Sequence, residues 1–394
     1  MMFKHIFKLT WNKRKQNFLF LSEILVSFMV IFAVSSLLVF YYLNYKKPQG
    51  MDTDNVWVVS YGGDLGKKPV DSAQLIIEQV SRTLRALPEI KELSFTHANY
   101  PYSGNMSTTS MTHNGKKVNP VNFFNAEDTY ATVTGMKVLE GRWFNKEDGV
   151  VDNKNLVINA SLKKAMFGEG PAVGQTIGED PKDLLKVIGV VQDVKSEGDY
   201  WSSGPGMYRL LDTSNYRGAG IIMLKVSRDA DAAFESRLNK LLGRTIENSN
   251  LDIQHMDEVR KAKNQEALIP VIICMTIAGF LIVNVALGLF GVLWYNINQR
   301  RSEIGLRRAI GASGYSVSMQ LVYESLMLTS LSVLLGTFFA VQFPLLNVFS
   351  VPASVYLIAL VLSIVFIYIL VIACSLYPGR QAAAIHPAIA LHEE

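Results

Sequence analysis

The chain has 394 residues, 49% of them apolar and 18% charged, with a formal net charge of +4 and a mean hydropathy of +0.19. That is too apolar for an ordinary soluble protein and too polar for a chain embedded in a membrane throughout. Between Lys46 and Glu266 there are 28 basic and 29 acidic residues, so the positive excess flanks the apolar runs and is not a nucleic-acid footprint.

Met1 to Asn17 place Phe3, Ile6, Phe7 and Trp11 on one side at helical spacing and the lysines on another, which predicts an interfacial amphipathic helix. The first apolar run, about Phe20–Leu43, is too long for a cleaved signal segment and is expected to remain as an anchor. Glu23 lies near one end of it, where it is expected to snorkel.

The stretch that follows reads as mixed α and β. Strands are predicted at Asn55–Ser60, Ile90–Thr96, Leu156–Ile158, Val187–Val191, Ile221–Val226 and Leu251–Gln254. A helix is predicted over Pro69–Leu87, capped by Asp71 or Ser72 and buried along Leu75, Ile76, Val80, Leu84 and Leu87. Asn114-Gly115 between two strand-like runs signals a hairpin, since both turn positions need positive φ. Further helices are predicted over Ala160–Phe167, ended by Gly168, and over Asp229–Leu242, stopped by Gly243. Two β-α-β units with an inserted β-rich lobe account for this order. The aromatics Tyr100, Tyr102, Tyr200 and Trp201 fall in predicted loops, where they either contact a partner or substrate or cap a core.

From Met256 to Ala267 the pattern is a polar helix that runs without a breaker into the second apolar run, as a stalk would. No charged residue occurs from Leu268 to Gln299 or from Ser325 to Gly379. A membrane helix needs ~20 apolar residues, so the first of these runs holds one span. The second, interrupted by Pro344, Asn347 and Pro352, holds two. The resulting fold class is a membrane protein with four transmembrane α-helices and a large extracytoplasmic α+β domain between spans 1 and 2.

The expected partition is an amphipathic helix 1–17, span one 18–44, the large domain 45–255 and the stalk 256–267. After these come span two 268–297, a cytoplasmic loop 298–316, span three 317–343, a short loop 344–352, span four 353–376 and a tail 377–394. Lys4, Lys8, Lys13, Arg14 and Lys15 precede span one, Arg300, Arg301, Arg307 and Arg308 separate spans two and three, and Arg380 follows span four. The positive-inside rule then places both termini and the arginine loop in the cytoplasm. Small residues at Ser332, Gly336 and Ala340, and at Gly288 and Gly291, permit close helix approach, either within the four-helix unit or at a dimer seam.

The arginine loop carries the densest signal. A helix from about Ser302 to Ile310 would pair Glu303 with Arg307 one turn on. It would also set Leu306 and Ile310 on a common side and end at Gly311 in a left-handed conformation. Ile304, Leu306 and Ile310 are its large apolar residues. The plain alternative is a positively charged topogenic loop.

Glu303-Ile-Gly-Leu-Arg-Arg-Ala-Ile-Gly-Ala312, followed by Gln320-Leu-Val-Tyr-Glu-Ser325, resembles the "EIG-x-R-x-A-x-G-A … Q-x-x-x-E" block of the FtsX/MacB-like permeases of ABC transporters. The resemblance implies that this block is a coupling helix docking into a partner ATPase. Arg301, Glu303, Ile304, Gly305, Leu306, Arg307, Arg308, Ile310, Gly311 and Glu324 would carry the coupling. It also implies that Glu324 meets an arginine of the loop. Val138-Leu-Glu-Gly-Arg-Trp-Phe144, Val157 to Gly168, Val173-Gly-Gln-Thr-Ile177 and Val187 to Val194 are similar to the core of the MacB-type periplasmic domain, which divides into a porter-like lobe and a smaller β-rich lobe. Between Tyr200 and Asn250 no such likeness is legible.

No G-x-x-x-x-G-K-[ST] occurs; Gly62-Gly-Asp-Leu-Gly-Lys-Lys68 has the wrong glycine spacing and no Ser/Thr for Mg²⁺. No histidine pair has metal-ligand spacing, and Cys274 and Cys374 both lie in predicted spans. The chain is therefore expected to be no enzyme and to hold no cofactor, ATP and Mg²⁺ residing on a separate ABC ATPase. A second permease copy or paralogue, membrane lipid and a periplasmic adaptor or substrate protein are the other expected partners, in a bacterial inner membrane. The resemblance implies export or extraction of peptides, lipoproteins or hydrophobic antibiotics. The alternatives are an FtsX-like regulator of a cell-wall hydrolase, or a membrane-anchored sensor without an ATPase.

Overall fold

The computed structural model describes residues 14–62, 70–149, 154–180, 184–211, 219–246 and 250–384. They form two compact units, Asn44–Ala267 and the described parts of Met1–Leu43 with Leu268–Glu394. Most of the amphipathic helix expected over 1–17, and the glycine-lysine stretch after Gly62, lie outside the described residues. Residues 14–17 are the opening turn of the first long helix, α1 (Arg14–Tyr45).

The Asn44–Ala267 unit, the sheet domain, carries β1 (Val56–Gly62), α2 (Val70–Arg85), β2 (Ile90–Thr96), β3 (Thr108–His113), β4 (Lys116–Ala126), α3 (Tyr130–Thr134) and β5 (Val138–Gly141). Then come β6 (Asn155–Asn159), α4 (Ala160–Phe167), β7 (Thr176–Ile177), β8 (Leu185–Val191), β9 (Gly206–Leu210), β10 (Ile221–Val226), α5 (Ala232–Thr245) and β11 (Asn250–His255). The strands form a single sheet in the order β11-β1-β10-β2-β4-β9-β6-β8-β5, with β3 on β4 and β7 on β8.

Alternation along β1 explains the layers. Trp57, Val59 and Tyr61 face α2 and α5 and join Ile77, Val80, Leu84, Phe234, Leu238 and Leu242 in one core. Val56 and Val58 face the other way, into a core with Tyr130, Tyr208 and Met223. These five residues of β1 thus find apolar partners on alternate faces, as a period of two requires. Sheet pairing between β2 and β4 is limited to Thr96 opposite Ala126, so the sheet has two halves. The half beyond β4 keeps its own core of Leu156, Ile158, Leu162, Ile177, Val187 and Met207.

Local signals hold where they are strong. Asn114 and Gly115 both have positive φ, 48° and 77°, between β3 and β4. Asn159 caps α4 by accepting from the Leu162 N–H at 2.9 Å, and Gly168 closes it at φ 62°. The N-terminal signal of α2 is displaced: the helix already includes Val70, so Asp71 and Ser72 stand inside its first turn. Gly243 does not stop α5, which runs to Thr245, because Leu242 and Ile246 are both buried in the core on either side of it. Asp231 caps that helix, accepting from the Phe234 N–H at 2.9 Å.

The other unit is helical: α1 as far as Leu43, α6 (Met256–Gln299) from Leu268 onward, α7 (Arg301–Ala309), α8 (Gly314–Leu345) and α9 (Ala353–Ala383). Polar stalk residues and the second apolar run form one helix, α6, with Pro270 inside it. Four described helices, α1, α6, α8 and α9, are long and apolar enough to cross a membrane. Phe20, Ile24, Phe28 and Phe32 on α1 recur at helical spacing and pack with Val333 and Ala340 of α8 and Ala359, Ile367 and Val371 of α9. The small residues of α8 serve this packing. Ser332 Oγ donates to the Leu21 carbonyl at 3.0 Å, and a Cβ at Gly336 would collide with the Phe28 ring. Glu23 turns its carboxylate against Gly288 of α6, and its Oε2 is buried without a hydrogen-bond partner among the described residues.

Candidate coupling site

The arginine block folds into α7, one residue earlier at each end than the spacing predicts. Glu303 in the first turn and Arg307 and Arg308 in the last oppose the helix dipole in the favourable sense. Beyond the helix, Gly311 takes φ 103°, and its N–H donates to the Arg308 carbonyl at 3.2 Å while that of Ala312 donates to Arg307 at 3.0 Å. This is the left-handed glycine termination expected of the block. Gly305 is buried within the helix.

Five side chains close a polar chain between α7 and α8. Arg307 donates to Glu303 at 2.5 Å and to Gln320 at 2.8 Å, and Gln320 donates to Glu324 at 3.2 Å. Arg300, just before α7, donates through Nη1 to both oxygens of Glu324, at 2.9 and 3.1 Å. The Glu303–Arg307 pair is half exposed and worth little by itself. The Arg300–Glu324 pair is largely covered and fixes the angle at which the chain leaves α6. Arg308 reaches the last carbonyl of α9, at Ala383. Arg301 also has an interaction within the chain.

The three large apolar residues of the block divide. Ile304 is only 6% exposed and packs with Ile297, Val317, Leu321 and Ala382. It anchors α7 to α6, α8 and α9. Leu306 and Ile310, one turn apart, remain 51% and 78% exposed, and Tyr315 after the turn is 75% exposed. Tyr315 is a residue that sequence reasoning missed; an aromatic directly after the Gly-Ala-Ser-Gly turn was the available signal.

The four loop aromatics of the sheet domain also divide. Tyr102 is buried in its core, accepting from Gln49 Nε2 at 3.0 Å, and burial pushes its phenol up to about 12. Tyr100 is partly buried against the same core, which raises its pKa too. Tyr200 stacks on Tyr45 with ring centroids 5.7 Å apart. Trp201 alone of the four is exposed. Among the described residues no group of three His, Cys, Asp or Glu side chains is placed to hold a metal ion.

Four helices long and apolar enough to cross a membrane, a sheet domain between the first two and a short charged helix between the next two define a four-span membrane protein with one large inserted domain. Comparison with known families agrees. The profile of the MacB-like periplasmic core domain matches residues 18–241, and that of the FtsX-like permease C-terminal region matches 275–387. The chain belongs to the FtsX/MacB-like family of ABC transporter permeases, with its sheet domain extracytoplasmic.

Among curated relatives it is 26% identical over 226 residues to the macrolide export ATP-binding/permease protein MacB 1/2 of Paracoccus denitrificans, covering 55% of this chain and 33% of that protein. It is 26% identical over 280 residues to MacB of Bdellovibrio bacteriovorus, covering 67% of this chain and 43% of that protein. The chain thus spans less than half the length of these relatives. With the uncharacterized ABC transporter permease YvrN of Bacillus subtilis it shares 23% identity over 343 residues, 82% of this chain and 80% of that one. Among solved structures, the periplasmic region of MacB from Actinobacillus actinomycetemcomitans aligns with 55% of this chain and 95% of its own, at 21% identity and a TM-score of 0.39.

Proposed function

We propose that this chain is the permease subunit of a transporter whose ATPase is a separate polypeptide, and that α7 is the element that engages it. The observation that carries the reading is the division of the block. Ile304 and the Arg300–Glu324 pair lock α7 to its own bundle, while Leu306 and Ile310 are left outward. A rigidly mounted helix with two exposed aliphatic side chains one turn apart suits insertion into a partner's cleft. Each side chain contributes ~1.5–3 kcal/mol if fully buried there.

On this reading both termini and α7 are cytoplasmic, in a bacterial inner membrane. Two permease copies, or one with a paralogue, assemble with two ATPases. ATP binding and hydrolysis on the partner then move the membrane helices, and the sheet domain acts on the substrate. Peptides, lipoproteins and hydrophobic antibiotics are the substrate classes considered; the MacB relatives are named for macrolide export. Native mass spectrometry of the complex purified in mild detergent tests the assembly. Two permease chains with two ATPases are expected, and a monomer with full coupled ATPase activity overturns it.

A further inference from the structure

The loop from Gln192 to Trp201 contains two buried charges that no part of the coupling site uses. Lys195 is 3% exposed and Asp199 5%. Lys195 Nζ donates to the Asn44 carbonyl at 2.6 Å and to the Asp199 carbonyl at 3.2 Å, with the Tyr45 carbonyl at 3.5 Å. Asn44 and Tyr45 are the last residues of α1. The Asn44 carbonyl also accepts from the Lys47 N–H at 3.0 Å, so the ammonium is a second donor at the negative end of the helix dipole.

Four residues on, Asp199 grips the other connection. Its carboxylate accepts from Arg260 Nε at 3.0 and 3.1 Å, from Arg260 Nη2 at 2.8 Å and from Asn264 Nδ2 at 2.8 Å. Its N–H donates to Asn264 Oδ1 at 2.8 Å. Arg260 and Asn264 lie one turn apart near the start of α6. The loop is in turn seated on the sheet domain: the Lys195 N–H donates to Gln49 at 3.1 Å, and the Tyr102 N–H donates to Ser196 at 2.7 Å. Tyr102 belongs to the core.

Buried charges are poor devices for stability alone, because desolvation offsets most of the attraction unless every partner is in place. Burial lowers the pKa of Lys195, whereas the Asp199 carboxylate raises that of Arg260. What this arrangement provides is direction. The sheet domain joins the rest of the chain at two points, after α1 and into α6, and one loop holds both.

We propose that Lys195 and Asp199 are force-bearing positioning residues, clamping the last turn of α1 and the first turns of α6 to the sheet domain so that displacement of α6 carries the domain with it. This rests on the reading of the chain as an ATP-driven permease.

The test uses the full permease assembled with its ATPase, with Cys274→Ala and Cys374→Ala. One spin label per chain is placed either at Leu139 in the sheet domain or at Leu287 on α6, and distances between the two copies are measured with and without a non-hydrolysable ATP analogue. Without further substitution, both distances shift. In Asp199→Asn and in Lys195→Met the Leu287 shift is retained and the Leu139 shift falls to less than half. Lys261→Met, which removes only the exposed pair with Asp257, changes neither. Resting distances in the two clamp variants match those of the unsubstituted assembly, which a merely structural role does not predict. An unchanged Leu139 shift in both clamp variants overturns the proposal. If neither label shifts in the unsubstituted assembly, ATP-driven motion itself fails and the clamp proposal falls with it.

Discussion

Arg300, between α6 and α7, faces Glu324 on α8, with Nη1 of the arginine donating to both carboxylate oxygens at 2.9 and 3.1 Å. The two residues are 24 apart in sequence, and about four-fifths of each side chain is covered. Removing one leaves the other with an uncompensated charge. Glu324→Ala should therefore lower the stability of the helical unit by about 1–2 kcal/mol, reduced from the fully buried case because water still reaches the pair. Arg300→Lys should cost less than Arg300→Ala. Thermal unfolding of the full chain in detergent reads both; equal melting temperatures for Glu324→Ala and the unsubstituted protein would show the pair to be incidental.

A Cβ at Gly336 would meet the Phe28 ring, so the contact between α1 and α8 depends on the missing side chain. Gly336→Val should destabilise the unit by ~1–3 kcal/mol through overpacking. Adding Phe28→Ala should recover part of the loss by making room. Detergent melting curves of the single and double variants decide this, and a double variant less stable than both singles would place the crowding elsewhere.

In the sheet domain, Asp148 is held by Arg142 at 2.6 and 2.7 Å, by the Asn145 N–H at 2.8 Å and by Asn155 at 2.7 Å. The Arg142 hydrogen bonds, chiefly, keep its carboxyl below the ordinary value of 3.8. A carboxyl with a depressed folded pKa stabilises fully above its unfolded pKa, and that contribution is lost as pH falls through the folded value. Protease resistance of the domain should thus fall below about pH 4 in the unsubstituted protein. Asp148→Asn should be weaker already at neutral pH and flatter through the acid range. Parallel pH profiles for the two proteins would remove Asp148 from the account.

Orientation is checked by labelling in intact spheroplasts, with both native cysteines replaced. Cysteines at Asn114 and Leu139 should react with a membrane-impermeant thiol reagent, and one at Ser302 should not. Reaction of Ser302 from outside would invert the topology.

The sequence carried the elements whose causes are local. The strand at Asn55–Ser60, the Asn114-Gly115 turn and the span of α4 from Ala160 to its end at Gly168 each rest on neighbours in the chain. β5 and β9 were not legible, because β5 is four residues with a register shift between Val138 and Glu140, and β9 begins at Gly206 directly after Gly204-Pro205. The helix through Gly243 needed the distant core to override a local breaker. Within the coupling block the Glu303–Arg307 pair and the Gly311 termination were readable from spacing. The inward turn of Ile304 was not, since Val317, Leu321 and Ala382 approach it from other helices. The Lys195–Asn44 contact joins residues 151 apart, and no periodicity reports such a pair.

The measurement that bears most directly on the central reading is the amount of ATPase that co-purifies per permease when Leu306 is replaced by Asp. Leu306 is half exposed and has no place in the bundle core, so the substitution should leave melting temperature and protease resistance unchanged. Ile304→Asp, by contrast, should unfold the end of the bundle. In a partner's cleft the new carboxylate would be buried without a counter-charge, a larger penalty than lost contact alone. The account predicts that Leu306→Asp loses at least nine-tenths of its bound ATPase, on the order of 1.4 kcal/mol or more in affinity. Full retention of the ATPase by a folded Leu306→Asp protein would contradict it, leaving the arginine block as a topogenic signal.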